Sequence, residues 1–272
     1  MQGKGCIYTA LFGDYDTLLN PLPELADVDL ICFTDTPQNV GGRWKVRELC
    51  EPESARDKSA EIRIKPHEYV DEYDWSVWID SNIYILKDFL NLIDWSESLV
   101  ITRKHPIRNC IIDEARVAVN RGRANKKMVD QEIDSYISKG FPRNNGLSDI
   151  NILIRKHNNS EVIDLMDQWW HYYLIGSSRN MLSFEFVMWK NEYYIDRLDI
   201  KMDGTYFELM WHKPNGWLGW CHQRRLKALE SKNNNKNVVL NLVIYYFLGL
   251  LFYIGTGNSD ALVRYFLRKF SD

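Results

Sequence analysis

Asp80, Ser81 and Asn82 form a polar triplet set inside an apolar run, Trp75-Ser-Val-Trp-Ile79 before it and Ile83-Tyr-Ile85 after it. The length of the run and its β-branched and aromatic residues predict a strand, a tight turn and a short strand. Such a turn can aim the Asp80 carboxylate and the Asn82 amide oxygen into one hollow, where two oxygens suit a hard divalent cation, Mn²⁺ or Mg²⁺, that also holds a diphosphate. The plainer alternative is an Asx-turn in which Asp80 only accepts nearby backbone amides.

Other groups of the same chemistry follow predicted strands. The first strand, Cys6–Leu11, carries Thr9 and runs into Gly13, Asp14, Tyr15 and Asp16; the second, Val28–Phe33, is followed by Thr34 and Asp35. In open α/β sheets ligands sit beyond the carboxyl ends of the strands. The chain has neither Gly-x-Gly-x-x-Gly nor a Walker A loop, and it lacks Gly-x-Ser-x-Gly and His-Glu-x-x-His. Dinucleotide enzymes, P-loop NTPases and the familiar serine and zinc hydrolases therefore lose support. Carboxylates at a ligand edge without a glycine cradle point to a nucleotide held by metal and side chains, the arrangement of nucleotide-sugar transferases. Asp35 could receive a base or ribose group, and Arg56, Arg63 and Lys65 could neutralise phosphate, Lys65 being placed by the turn at Pro66. Glu114, Asp149 and His105 are the candidate bases for an acceptor hydroxyl, His105 and Arg108 lying in a loop with Pro106 after a strand.

The elements that must position these groups alternate. Strand-like runs over Cys6–Leu11, Val28–Phe33, Trp75–Ile79, Leu99–Thr102 and Ile150–Ile154 are interleaved with helical patterns over Ala55–Ile64, Cys110–Arg121, Lys127–Lys139, Glu161–Tyr173 and Ser178–Lys190. The expectation is an α/β fold, a mixed sheet flanked by helices. At 272 residues and 45% hydrophobic content the chain can bury a sizeable core as one domain with an appendage, 1–230 and 231–272. A net charge of −3 gives no global footprint for nucleic acid. Five cysteines, odd in number and without a Cys-x-x-Cys pair, indicate neither a disulfide framework nor a zinc site. The short first apolar stretch reads as a strand rather than a signal peptide. Residues 231–237 read as a polar linker, 238–254 as an apolar run at the lower edge of membrane-spanning length, and 261–270 as a basic amphipathic stretch. A buried C-terminal helix is the other reading of 238–254.

Taken together, Tyr8-Thr-Ala-Leu-Phe-Gly-Asp-Tyr-Asp16, Phe33-Thr-Asp35, Lys65-Pro66-His67, Trp78-Ile-Asp80, Arg103-x-His105-x-x-Arg108, Asp113-Glu114-Ala115, Ile154-Arg155-x-His157 and Ser178-Arg179-Asn180-x-Leu182-Ser183-Phe184 resemble the DUF616 family, a glycosyltransferase-like group. The resemblance implies a GT-A-type, Rossmann-like fold with an apolar, amphipathic helical tail. It implies that Asp80 is the leading metal ligand, in the place of the GT-A Asp-x-Asp, with Asn82 second, and that Arg179 and Asn180 contact the acceptor or take part in catalysis. Two departures are Asn82, where the second acid is expected, and Asn180, where the family's usual Arg-Asp-Gln-Leu-Ser-Phe has Asp. Trp211-His212-Lys213-Pro214 is similar to a late element of retaining GT-A enzymes, which implies His212 as a metal ligand and Lys213 at the diphosphate; His222 competes with His212 for that role. The activity implied is a metal-assisted glycosyltransferase, a hexosyltransferase, moving a sugar from a UDP-sugar to a lipid-linked or polysaccharide acceptor at the cytoplasmic face of a membrane. A ceramidase-like lipid amidase and a non-catalytic nucleotide-sugar or glycan-binding module are the alternatives.

Overall fold

The structure, a computed structural model, describes residues 3–13, 15–25, 28–202, 204–210, 212 and 247. Its chain forms two compact units, one of Met1–Gly13, Leu25–Ser81 and Phe89–Ile200, the other of Asp14–Glu24, Asn82–Asp88 and Lys201–Asp272. The expected linker and apolar tail, 231–272, lie outside the described residues save Phe247, as do Asp14, Lys213 and His222. No helix among the described residues is long and apolar enough to cross a membrane.

The first unit is built on a seven-stranded mixed sheet flanked by helices, as the alternating pattern predicts. Its strands are β1 (Gly5–Leu11), β2 (Val28–Thr34), β3 (Lys45–Glu48), β4 (Trp75–Ile79), β6 (Val100–Lys104), β7 (Ser148–Arg155) and β8 (Asp196–Leu198), in the order β3-β2-β1-β4-β7-β6-β8. β1, β2, β3 and β4 are mutually parallel, whereas β7 runs antiparallel to both β4 and β6. All seven residues of β1 are buried, as expected of a central parallel strand covered on both faces. The chain steps from β1 outward to β3 and then returns to the other side of β1 as β4. That reversal makes the carboxyl ends of β1 and β4 the place where a crevice opens.

The helices are α1 (Ala55–Ile64), α2 (Pro66–Tyr69), α3 (Ile111–Asn120), α4 (Lys126–Ser138), α5 (Ser160–Ile175) and α6 (Asn180–Lys190). Ser54, Asn125 and Asn159 cap α1, α4 and α5 by accepting first-turn amides. One core joins α1, α5 and α6 to the sheet through Ile62, Ile64, Met166, Trp169, Phe184 and Val187 against Tyr8, Phe33, Trp78 and Leu153. A second joins α3, α4 and α6 around Ile111, Ile133, Tyr136 and Phe186. α6 is shared by both, so its start is held by two packing faces.

Two strands escape the hydrophobic pattern. β3 reads Lys-Val-Arg-Glu with no buried residue and β8 reads Asp-Arg-Leu; both lie at sheet edges, where charge rather than apolar alternation is the rule. A third difference concerns the site. The apolar run starts at Ile150, but β7 starts at Ser148, because the Arg103–Asp149 pairing extends the ladder past a register shift between Thr102 and Arg103. Asp149 is therefore a strand residue and not the residue before one.

In the second unit β5 (Ile83–Ile85) pairs antiparallel with β9 (Phe207–Leu209), and Leu22 donates its amide to the Ile85 carbonyl at 2.9 Å. β5 is the short strand expected after the polar triplet.

Candidate active site

Trp78 and Asp80 are two residues apart at the end of β4, so their side chains share one side of the sheet. The Trp78 indole Nε1 donates to Asp80 Oδ1 at 2.9 Å, and Arg63 Nη2, from the last turn of α1, donates to the same oxygen at 2.5 Å. The Arg63 guanidinium lies 4.8 Å from the Trp78 ring centre, a cation–π contact. Below it sits Arg155, fully buried, whose Nη2 donates to the Arg63 carbonyl at 2.7 Å and to the Tyr8 hydroxyl at 2.6 Å, while its Nη1 reaches the Ile64 carbonyl at 3.3 Å. These are carbonyls at the end of α1, which a cation satisfies well. Arg155 thus positions Arg63, and Arg63 positions Asp80.

The amino end of β7 lies beside the carboxyl end of β4, as Asp80 shows by donating its amide to the Asn151 carbonyl at 3.0 Å. Asp149 is brought to this edge with it, and Arg103 Nη1 donates to Asp149 Oδ2 at 2.5 Å. Arg103 is itself fixed by its Nε donating to the Ile200 carbonyl at 2.6 Å. Burial pushes the Asp149 carboxyl above the usual carboxylate range; Arg103 opposes the shift, and the charges of Asp80 and Glu114 add to it.

Glu114 is buried in the first turn of α3. Arg108 Nε donates to its Oε2 at 2.8 Å, and Arg179 Nη2 lies 3.7 Å from its Oε1. His105 Nδ1 accepts the amides of Ile107 at 3.2 Å and Arg108 at 2.9 Å, which shapes the loop after β6. Burial, aided by Arg108 and Arg103, lowers His105 to about 4, so its ring is neutral near pH 7 and its Nδ1 is occupied. Arg179 immediately precedes α6, and Arg56 reaches the neighbouring Ser178 carbonyl at 2.5 Å. Asn180 is the first residue of α6 and its carbonyl accepts the Trp169 indole at 3.0 Å. The Nε atoms of Arg63 and Arg179 and the Oδ1 of Asn151 are buried without a partner among the described residues.

The remaining expected residues lie elsewhere. Asp35 Oδ1 accepts the Gly13 amide at 2.7 Å, and Thr36 Oγ1 donates to the Gly13 carbonyl at 3.1 Å, so Asp35 ties down the turn after β1, where Gly13 has a φ of 64°. Thr9 is buried in β1 with its hydroxyl unpartnered among the described residues. Lys65 pairs with Glu68 and lies 3.6 Å from Asp167. Its ammonium occupies the α1–α2 corner where His67, Glu68 and Asp167 form a group whose ligand atoms lie within 4.8 Å of one another. In the second unit, Asn82 Nδ2 donates to the Met210 carbonyl at 3.1 Å, and His212 Nδ1 lies 2.9 Å from Asp16 Oδ1 with the Tyr15 ring 4.7 Å from the imidazole.

The fit of a divalent cation can be tested on the donor set of the first unit. Asp80 Oδ1 already accepts two donors, and Asp149 and Glu114 each hold a guanidinium. A cation on Asp80 Oδ1 would compete with Arg63 for that oxygen, so to hold a metal there these carboxylates would have to share or give up their arginine partners.

Residues 34–205, more than half of the chain, match the family model described as TOD1/MUCI70, glycosyltransferase-like domain. The chain belongs to this family. It is the DUF616 family that the sequence motifs resemble, and the matched segment contains Asp80, Glu114, Asp149 and Arg179. None of the curated proteins matches the chain. Among solved structures the chain is similar to the apo form of WbbM, a bifunctional glycosyltransferase, at 12% identity and a TM-score of 0.44; the match covers 75% of this chain and 40% of that one. The chain thus spans well under half of that protein's length.

Arg103, Arg108 and Arg155 were legible as motif residues but not as partners of Asp149, Glu114 and the end of α1. Only the pairing of β6 with β7, and of β4 with β7, supplies those contacts.

Proposed function

We propose that this member of the family is a glycosyltransferase that moves a sugar from a nucleotide-sugar donor to a glycan or lipid-linked acceptor, working at the sheet edge where β1, β4, β6 and β7 meet. One observation carries the reading: Asp80, Asp149 and Glu114, from three separate elements, converge there together with Arg63, Arg103, Arg108 and Arg179. Transfer develops positive charge on the sugar and negative charge on the departing diphosphate, and this edge offers groups of both signs. Asp149 is assigned the role of base toward the acceptor hydroxyl, because burial makes its carboxyl the more basic and Arg103 fixes its direction. Glu114 holds Arg108 and Arg179 at the rim. A base of this kind favours inversion at the anomeric carbon.

UDP-sugars are the first donors to test, and the basic, apolar sequence of 238–270 supports a lipid-linked acceptor and attachment to the cytoplasmic face of a membrane. The test is release of nucleoside diphosphate from a panel of nucleotide sugars. Asp149→Asn is expected to lower turnover at least about 100-fold while leaving the fold intact. Unchanged turnover removes Asp149 from the reaction. A binding module without turnover is the second reading, favoured by the arginine partner that each of the three carboxylates already has; donor binding with no release of diphosphate from any nucleotide sugar would establish it.

A further inference from the structure

The disagreement between a metal-assisted reaction and the donor set at this edge leads further, on the premise that the nucleotide-sugar reading holds. We propose that the donor diphosphate is bound and neutralised by guanidinium groups, chiefly Arg179 with Arg56 and Arg63, without a divalent cation.

Asp80 is the acid that the GT-A resemblance gives to a metal, and its Oδ1 is held by Arg63 at 2.5 Å and by the Trp78 indole at 2.9 Å. A protein cation therefore stands where the resemblance places an inorganic one. Asp149 and Glu114, the other acids of the edge, are held by Arg103 and Arg108. Asn82, the second residue of the Asp-x-Asp position, carries no charge, and its amide nitrogen is bound to the Met210 carbonyl. Among the described residues, each of these three carboxylates therefore already has a guanidinium partner.

Cations are in excess. Arg63, Arg103, Arg108 and Arg179 stand against Asp80, Glu114 and Asp149, Arg56 reaches the Ser178 carbonyl beside them, and His105 is neutral. A surplus of guanidinium over carboxylate is what a bound diphosphate balances. Of the four that stand against a carboxylate, Arg179 is held most loosely. Its ionic contact with Glu114 is 3.7 Å, longer than a hydrogen bond, its Nε has no partner among the described residues, and Glu114 Oε2 is already taken by Arg108. Arg56 and Arg63 are seven residues apart on α1, two turns along one face, so both reach toward the same side. Arg56 ends at the carbonyl of Ser178, next to Arg179. Arginine presents a planar fork that takes phosphate oxygens in pairs, which is the recognition this cluster can offer.

The experiment is calorimetric titration of the full chain with UDP and with inorganic pyrophosphate, in a chelator and again with Mn²⁺ in excess. The expected result is binding in the chelator that Mn²⁺ changes by less than about threefold, and that Arg179→Ala weakens at least about tenfold, with Arg179→Lys between the two. Asp80→Asn supplies a second, opposite-signed test. If Asp80 restrains Arg63, the substitution frees a guanidinium and UDP binds as tightly as before or more tightly; if Asp80 is a metal ligand, binding weakens and its dependence on Mn²⁺ is lost.

UDP binding that appears only with Mn²⁺ would overturn the metal-free assignment and leave the nucleotide-sugar reading standing. Binding in the chelator that Arg179→Ala leaves unchanged would overturn the role of Arg179. Absence of UDP binding under both conditions would overturn the nucleotide-sugar reading for this donor class and the inference with it.

Discussion

Arg155 shows how much of this site depends on a residue that touches none of its reacting groups. Fully buried, it has its charge spread over the Arg63 and Ile64 carbonyls, the Tyr8 hydroxyl and the Met166 sulfur. Removing it leaves those acceptors dry, at about 1–3 kcal/mol for each that water cannot reach. Arg155→Met is therefore expected to lower stability by about 3 kcal/mol in a denaturant titration, whereas Tyr8→Phe, which removes one hydroxyl, should cost about 1 kcal/mol. A loss below about 1 kcal/mol for Arg155→Met would show that α1 does not rely on it. At this scale the sequence was only half informative. That Asp80 ends a buried strand is readable from the apolar run before it, and the i, i+2 spacing places Trp78 beside it. That Arg63 would be its partner is not readable, since only packing of α1 against the sheet brings a residue from the previous helix onto it. Lys65, by its place at the Pro66 turn, looked better aimed at phosphate than Arg63, yet its ammonium is taken by Glu68 and Asp167.

Between elements, the central β1–β4 ladder is set by one small residue. Gly5 sits directly opposite Trp75, and a Cβ built on it would lie 2.0 Å from the indole ring. The ring lies across the glycine, and no shift of a flexible chain end can relieve so close an approach. Gly5→Ala is expected to destabilise by about 1–3 kcal/mol, and Trp75→Leu in the same chain should recover part of that loss. If the double variant is no more stable than Gly5→Ala alone, the ring is not what the glycine accommodates. The helices are legible nearly to their ends, because α1, α4 and α5 each join an apolar face to a capping residue and α6 is buried along most of its length. β3 and β8 are not, because edge strands with charged residues lack the alternation on which such a reading depends. The start of β7 is hidden in the sequence for a related reason. A strand that opens with Ser148 and Asp149 looks like a loop until Arg103 is placed opposite the acid.

Across the first unit, two histidines make its stability depend on pH. Burial, with Arg108 and Arg103, lowers His105 to about 4; burial likewise lowers His157 to about 4, although its bond to the Val70 carbonyl opposes the shift. In the unfolded chain both titrate near 6.5. Between these values the unfolded state binds more protons than the folded one, so stability is fully present above about pH 6.5 and is lost as pH falls toward 4. Each histidine contributes a slope that approaches about 1.4 kcal/mol per pH unit within that window. Denaturant titrations from pH 7 to pH 4 should show this fall, and His157→Gln, which can still donate to Val70, should make it shallower. A slope that is unchanged in the variant would contradict the assignment. The catalytic claim also belongs to the whole molecule, since it joins residues from α1, α3, β4, β6, β7 and the start of α6 at one sheet edge. Its most direct test is the rate at which the full chain releases nucleoside diphosphate from nucleotide-sugar donors, compared between the native protein and Asp149→Asn. Donor-dependent release is expected that falls at least about 100-fold in the variant with its fold retained; equal rates in the two proteins, or no release from any nucleotide sugar, would contradict the claim.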